Sequence, residues 1–124
     1  MNNTKKILVV DDDKAVTTLL GSLLSSQGYQ VLTAFDGLDA MLQVKKDIPD
    51  LIILDIMMSE MNGYDVCNNL KFDEKYKHIP IIVLTSRQQE LDPMIGRLMG
   101  ISYMQKPIDS KVLQEKIQSV LRPQ

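Results

Sequence analysis

Five side chains able to do chemistry, Asp11, Asp12, Asp55, Thr85 and Lys106, stand at the ends of short apolar runs. Asp11 and Asp12 follow Ile7-Leu8-Val9-Val10, Asp55 follows Leu51-Ile52-Ile53-Leu54, and Thr85 follows Ile81-Ile82-Val83-Leu84. Lys106 comes just after the weaker run Ser102-Tyr103-Met104. Two carboxylates about 5 Å apart repel by about 3 kcal/mol at an effective dielectric of roughly 20, so if the three aspartates converge they need a counter-charge. A site with two or three carboxylates and no dedicated oxygen cage suits Mg2+, which keeps several waters and accepts phosphate oxygens; no twelve-residue calcium loop is present. A carboxylate beside such an ion, with an ammonium and a hydroxyl reaching the same point, is equipped to accept a phosphoryl group. Asp55 ends the most continuous apolar run and is the expected acceptor, which leaves Asp12 and Asp11 to hold metal.

These residues meet only if the runs are strands that share an edge. The three strong runs, joined by Val31-Leu32-Thr33-Ala34 and the weaker one near Tyr103, read as strands buried on both faces. Stretches of helical period separate and follow them. The first places Val16, Leu19, Leu20, Leu23 and Leu24 on one stripe and stops near Gly28; the second carries Leu38, Met41 and Leu42 behind a possible Asp36 cap. The third runs from about Asn62 or Gly63 to Phe72 with Val66 and Leu70 inward. The fourth starts at Asp92-Pro93 and ends at Gly100, and the fifth, from about Asp109 to Leu121, buries Val112, Leu113, Ile117, Val120 and Leu121. Alternation of this kind predicts a three-layer α/β domain over residues 4–122, with a parallel sheet whose strand carboxyl ends line one functional edge.

Composition narrows the classes of function. The chain has 124 residues, 44% hydrophobic and 24% charged, enough for one domain with a core. Fourteen Lys and Arg against sixteen Asp and Glu give a net charge of −2, which offers no basic field for nucleic acid or anionic lipid. The single cysteine, Cys67, cannot form an internal disulfide and fits a reducing cytoplasm. No apolar run approaches the ~20 residues of a membrane span. Cys67 reads as a small buried apolar side chain and His78 as a solvated loop residue. Met57, Met58 and Met61 read as gap fillers, and Lys71, Lys75 and Lys77 as a solvated face shared with Asp73 and Glu74.

Taken together, the motifs resemble the receiver domain of two-component response regulators, from Ile7 to about Leu121. Ile7 to Asp13 resembles the family's first strand and acidic pair, Asp50 to Gly63 its phosphoacceptor strand and loop, and Leu84-Thr85-Ser86 and Lys106-Pro107 its remaining signatures. The resemblance implies a flavodoxin-like (βα)5 fold with strand order 2-1-3-4-5 and Asp55 as the phosphorylated residue. It implies Mg2+ held by Asp12, Asp55 and the backbone carbonyl of Met57, with Asp11 acting through water. Lys106, followed by Pro107 in its loop, would bind the phosphoryl group, and Thr85 with Tyr103 would form the switch. The implied donor is a histidine kinase or phosphotransfer protein, docking near Lys14, Ala15 and Thr18. A phosphorylation-dependent dimer through the fourth helix, fifth strand and fifth helix is also implied.

Departures are local. Ser59 replaces the usual Pro in the phosphoacceptor loop and frees a fixed φ. Ser86 stands where Ala is commonest, which predicts an effect on rate, and Gly100 to Tyr103 is one residue shorter than usual. Other classes fit less well. A haloacid-dehalogenase-like phosphatase would carry a second Asp where Met57 stands, and a flavin or dinucleotide binder would need a Gly-rich turn in place of Asp11-Asp12-Asp13. The remaining alternative is a phosphorylation-independent interaction module with a vestigial site.

Overall fold

A computed structural model describes residues 4–55, 63–85 and 98–121. Five strands, β1 (Lys6–Val10), β2 (Gln30–Ala34), β3 (Leu51–Asp55), β4 (Ile81–Thr85) and β5 (Ile101–Gln105), form one sheet in the order β2-β1-β3-β4-β5. All four pairings are parallel. The helices among the described residues are α1 (Lys14–Ser26), α2 (Gly37–Lys46), α3 (Gly63–Lys71) and α4 (Ser110–Leu121), the last corresponding to the fifth helix expected from sequence. Of the expected helix from Asp92, Leu98 and Met99 are helical ahead of Gly100, and the rest lies outside the described residues. Met57, Met58, Ser59, Met61 and Ser86 also lie outside them.

The apolar runs of β1, β3 and β4 are continuous because both faces of the sheet are covered there, whereas β2 and β5, expected to be buried on both faces, are edge strands and only part-buried. Successive strand side chains point to opposite faces. Ile7, Val9, Leu51, Ile53, Ile82, Leu84 and Met104 therefore pack with Leu20 and Leu24 of α1 and Leu113 and Ile117 of α4. Leu8, Val10, Ile52, Leu54 and Val83 pack with Ala40 and Val44 of α2 and Val66, Cys67 and Leu70 of α3. Helix starts follow capping chemistry. Asp36 accepts the Asp39 N–H at 2.7 Å, and the Asp109 carboxylate accepts from Lys111 and Val112 at 2.9 and 3.1 Å. The chain leaves α1 through Gly28 at φ 97°, a left-handed conformation that costs a side-chain-bearing residue more. No helix among the described residues is long and apolar enough to cross a membrane.

Several burial expectations are corrected. Leu19 is 65% exposed, because the inward line of α1 runs through Thr17, Leu20 and Leu24, and Leu19 sits about 100° around the helix from Leu20. On α2 the small pair Ala40 and Val44 faces the sheet, so Leu38 and Leu42 point outward. Val112 is likewise one position off the Leu113–Ile117 line and is exposed. Lys71, expected in a solvated face, is buried. Its ammonium donates to the carbonyls of Lys77 at 3.0 Å and Ile79 at 2.6 Å, satisfying acceptors in the turn between α3 and β4. Burial holds its pKa below the ordinary lysine value. Lys75, Lys77 and His78 are exposed, as expected.

Cys67 is buried, and that burial pushes its thiol from 9.0 up to about 11, against a smaller opposing influence from Lys71. At pH 8 such a thiol carries about 100-fold less thiolate than an ordinary one, so native protein should react with a disulfide reagent at least that much more slowly than urea-unfolded protein. Comparable rates in the two states would contradict this burial. Because the folded value is the raised one, the stability gained by keeping the thiol neutral is complete below pH 9.0 and is lost as pH climbs through about 11. Urea melts of the Cys67→Ala variant should lack this alkaline component.

Candidate phosphoryl-transfer and metal site

The sheet register brings the site together. Val10 pairs with Leu54, so Asp11 and Asp55 end adjacent strands at the same level. The Asp11 N–H donates to the Ala34 carbonyl at 3.1 Å, which carries the β1–β2 ladder one residue beyond the strand and holds Asp11 in place. Across the sheet, Thr85 pairs with Gln105, and the Lys106 N–H donates to the Thr85 carbonyl at 2.7 Å. The β4–β5 ladder therefore positions Lys106 at the same edge. The Lys106-Pro107 peptide is cis, with Pro107 exposed.

Carboxylate oxygens of Asp11, Asp12 and Asp55 lie within 4.8 Å of one another. The Lys106 ammonium stands 3.5 Å from both Asp11 Oδ2 and Asp55 Oδ1. Asp11 is 1% and Asp55 6% exposed, whereas Asp12 is exposed and gives the group an open side. The Asp11 carboxyl is held above the ordinary carboxylate value. Burial is the largest cause and the Asp55 charge adds to it, against the Asp13 N–H, which donates at 2.9 Å, and Lys106. Among the described residues one ammonium faces three carboxylates, so the group carries excess negative charge. A hard all-oxygen donor set with one solvent-facing member fits Mg2+.

Asp11, Asp12, Asp55 and Lys106 are brought together, and Thr85 lies at the same edge, buried, at the end of β4. Met57 lies outside the described residues. Tyr103 is half-buried and pairs with Val83, which puts it on the same sheet face as Thr85, one pleat period away. The short Gly100–Tyr103 segment is accommodated by starting β5 immediately at Ile101, with Gly100 at φ 70°. The expected docking residues Lys14, Ala15 and Thr18 are exposed.

Two contributors were missed in the sequence. Asp13 gives its N–H to Asp11 while its carboxylate caps α1 at the Ala15 N–H, 2.9 Å away. An Asp immediately before a helical period was the available signal. Lys14, the first residue of α1, lies 5.7 Å from the centroid of the Phe35 ring in the loop after β2, a cation–π contact that no sequence spacing announces.

Residues 7–118 match the family model described as the response regulator receiver domain. The chain is 38% identical over 119 residues to the alkaline phosphatase synthesis transcriptional regulatory protein PhoP of Bacillus subtilis, covering 95% of this chain and 49% of that protein. It is 40% identical over 118 residues to the response regulator PleD of Caulobacter vibrioides, covering 94% of this chain and 26% of PleD. The chain thus spans about half the length of PhoP and about a quarter of PleD. Among solved structures, the chemotaxis protein CheY4 of Vibrio cholerae matches with a TM-score of 0.85 and 30% identity over 95% of this chain and 99% of that one. A putative response regulator from Chloroflexus aurantiacus matches with a TM-score of 0.87 and 29% identity, over 98% of this chain and 100% of that one.

The charge arrangement predicts opposite effects of two substitutions on folding stability in a chelator. Lys106→Met leaves buried carboxylates without their ammonium and should cost about 1–2 kcal/mol, whereas Asp55→Asn removes a repelling charge and should stabilise by about 1 kcal/mol. Urea unfolding at neutral pH measures both; the same sign for the two would contradict the crowding.

Proposed function

This chain belongs to the response regulator receiver domain family, and on that premise we propose that it is a phosphorelay switch whose Asp55 accepts a phosphoryl group from a partner's phosphohistidine. The observation that carries this reading is the Lys106 ammonium, 3.5 Å from both Asp11 and Asp55, in a pocket where three carboxylates crowd within 4.8 Å. A lysine placed there neutralises an incoming phosphoryl oxygen as readily as it now neutralises the aspartates.

In the transfer, an Asp55 Oδ forms the new P–O bond as the P–N bond of the phosphohistidine breaks, and the departing imidazole keeps the electron pair. Mg2+ held by Asp12, Asp55 and the Met57 carbonyl, with Asp11 through water, would supply charge neutralisation at the phosphoryl oxygens. Lys106 donates to one of those oxygens. Thr85 turns its hydroxyl to another, and Tyr103, on the same sheet face, moves inward behind it. A shift between inactive and active states from 1:99 to 99:1 needs about 5.5 kcal/mol, which a buried phosphoryl with charge-assisted bonds to Lys106 and Thr85 can provide.

The donor is a histidine kinase or phosphotransfer protein docking beside Lys14, Ala15 and Thr18. The chain modifies itself and loses the group slowly, so it is a switch and not a turnover enzyme. The face affected is β5 and α4 together with the fourth helix expected from sequence, most of which lies outside the described residues, and a phosphorylation-dependent dimer forms through it. We place the protein in the cytoplasm, acting through protein contacts without touching nucleic acid or membrane directly.

With acetyl phosphate and Mg2+, intact mass should show one added phosphoryl group on the wild-type chain and none on Asp55→Asn. Chelating the metal should abolish labelling, and Lys106→Ala should slow it by about 100-fold. Rapid multiple-turnover release of phosphate would indicate an enzyme, and the absence of an adduct with a competent kinase would indicate an inert module.

A further inference from the structure

We propose that the outer face of α2 is a self-association surface on which a second copy of this chain docks antiparallel. Phe35, Leu38, Leu42 and Ile48, four of the eight exposed large hydrophobic side chains among the described residues, fall between positions 35 and 48. A single exposed leucine is ordinary on a protein surface. Here Leu38 and Leu42 are 57% and 66% exposed and stand one helical turn apart, opposite the buried Ala40 and Val44. Phe35 and Ile48, on either side of the helix in sequence, are exposed as well, and a cluster of exposed apolar side chains marks a contact surface.

The charges on the helix select the occupant. Asp39 lies in the first turn of α2, and Lys45 and Lys46 in the last. A second α2 running the opposite way, with the two-fold axis near Leu42, sets Leu42 against Leu42 of the partner subunit and Asp39 against Lys46 of the partner subunit, which lies on the same flank of the leucine line. The same contacts repeat by symmetry, as an isologous interface requires. A parallel copy would stack like charges, and a uniformly charged foreign helix would be repelled at one end of α2.

One helix face is a small interface, so the dimer is weak and concentration-dependent. Strand β2, which precedes α2, is the edge strand farthest from β5 in the sheet. The contact therefore lies at the opposite end of the sheet from Thr85 and Tyr103 and does not depend on the phosphorylation reading above.

Sedimentation velocity of the unphosphorylated chain from about 10 µM to about 1 mM should show reversible dimerisation, and Leu42→Asp should weaken it by about tenfold or more. Phe72→Asp, an exposed residue just past the end of α3, should leave it unchanged. Asp39→Lys replaces the acidic member of the pair with a basic one, and the double variant Lys45→Asp/Lys46→Asp does the reverse. Each alone should stay monomeric, and an equimolar mixture should recover a heterodimer. A chain that is monomeric throughout the range, association that survives Leu42→Asp, or a mixture that fails to associate would overturn the proposal. Far-UV circular dichroism on each variant establishes that loss of association is not loss of fold.

Discussion

Everything at the functional edge answers to one constraint: like charges held close together where little water reaches them. Once β1 and β3 pair with Val10 beside Leu54, Asp11 and Asp55 cannot avoid each other. The surrounding features act against that repulsion. The Asp13 N–H and the Lys106 ammonium both approach Asp11, and the ladder bond from Lys106 to Thr85 keeps the ammonium where it is needed. Burial nevertheless keeps the Asp11 carboxyl above its ordinary value, so the compensation is partial. A pocket left electron-rich in this way favours a divalent cation and a group that brings oxygens to it.

The sheet can hold such a charge cluster because it is rigid on both sides. Each central strand packs one set of side chains against α1 and α4 and the other against α2 and α3. Moving a strand end by one residue would turn those side chains to the wrong face, so the register that creates the repulsion is itself fixed by the core. Thr85, at the end of β4, and Tyr103, in the middle of β5, share a face across the β4–β5 pair, and Tyr103 is packed against the core without being enclosed by it.

Much of this was legible beforehand, for identifiable reasons. Strands covered on both faces give unbroken apolar runs, so Leu51–Leu54 and Ile81–Leu84 announced themselves along with the residues ending them. Caps such as Asp36 and Asp109 act within a few residues and are readable for the same reason. The helix faces were less readable. Leucines on α1 and α2 sit close enough around the helix that several stripes fit the pattern, and hydrophobicity alone favours the larger side chain. Packing against the sheet chose Ala40 and Val44 and turned Leu38 and Leu42 outward. Lys71 was misread because its acceptors, the carbonyls of Lys77 and Ile79, become available only when the following turn folds back over it.

By itself the sequence determined the alternation of strands and helices and the identity of the groups at each strand end, because these depend on local period and on residue type. The tertiary structure decided that Asp11, Asp12, Asp55 and Lys106 share one pocket, how far apart they stand, and that Asp11 is enclosed while Asp12 meets solvent. Those distances rest on pairings between segments far apart in the chain. The charge balance they create exists only after the core has brought them together.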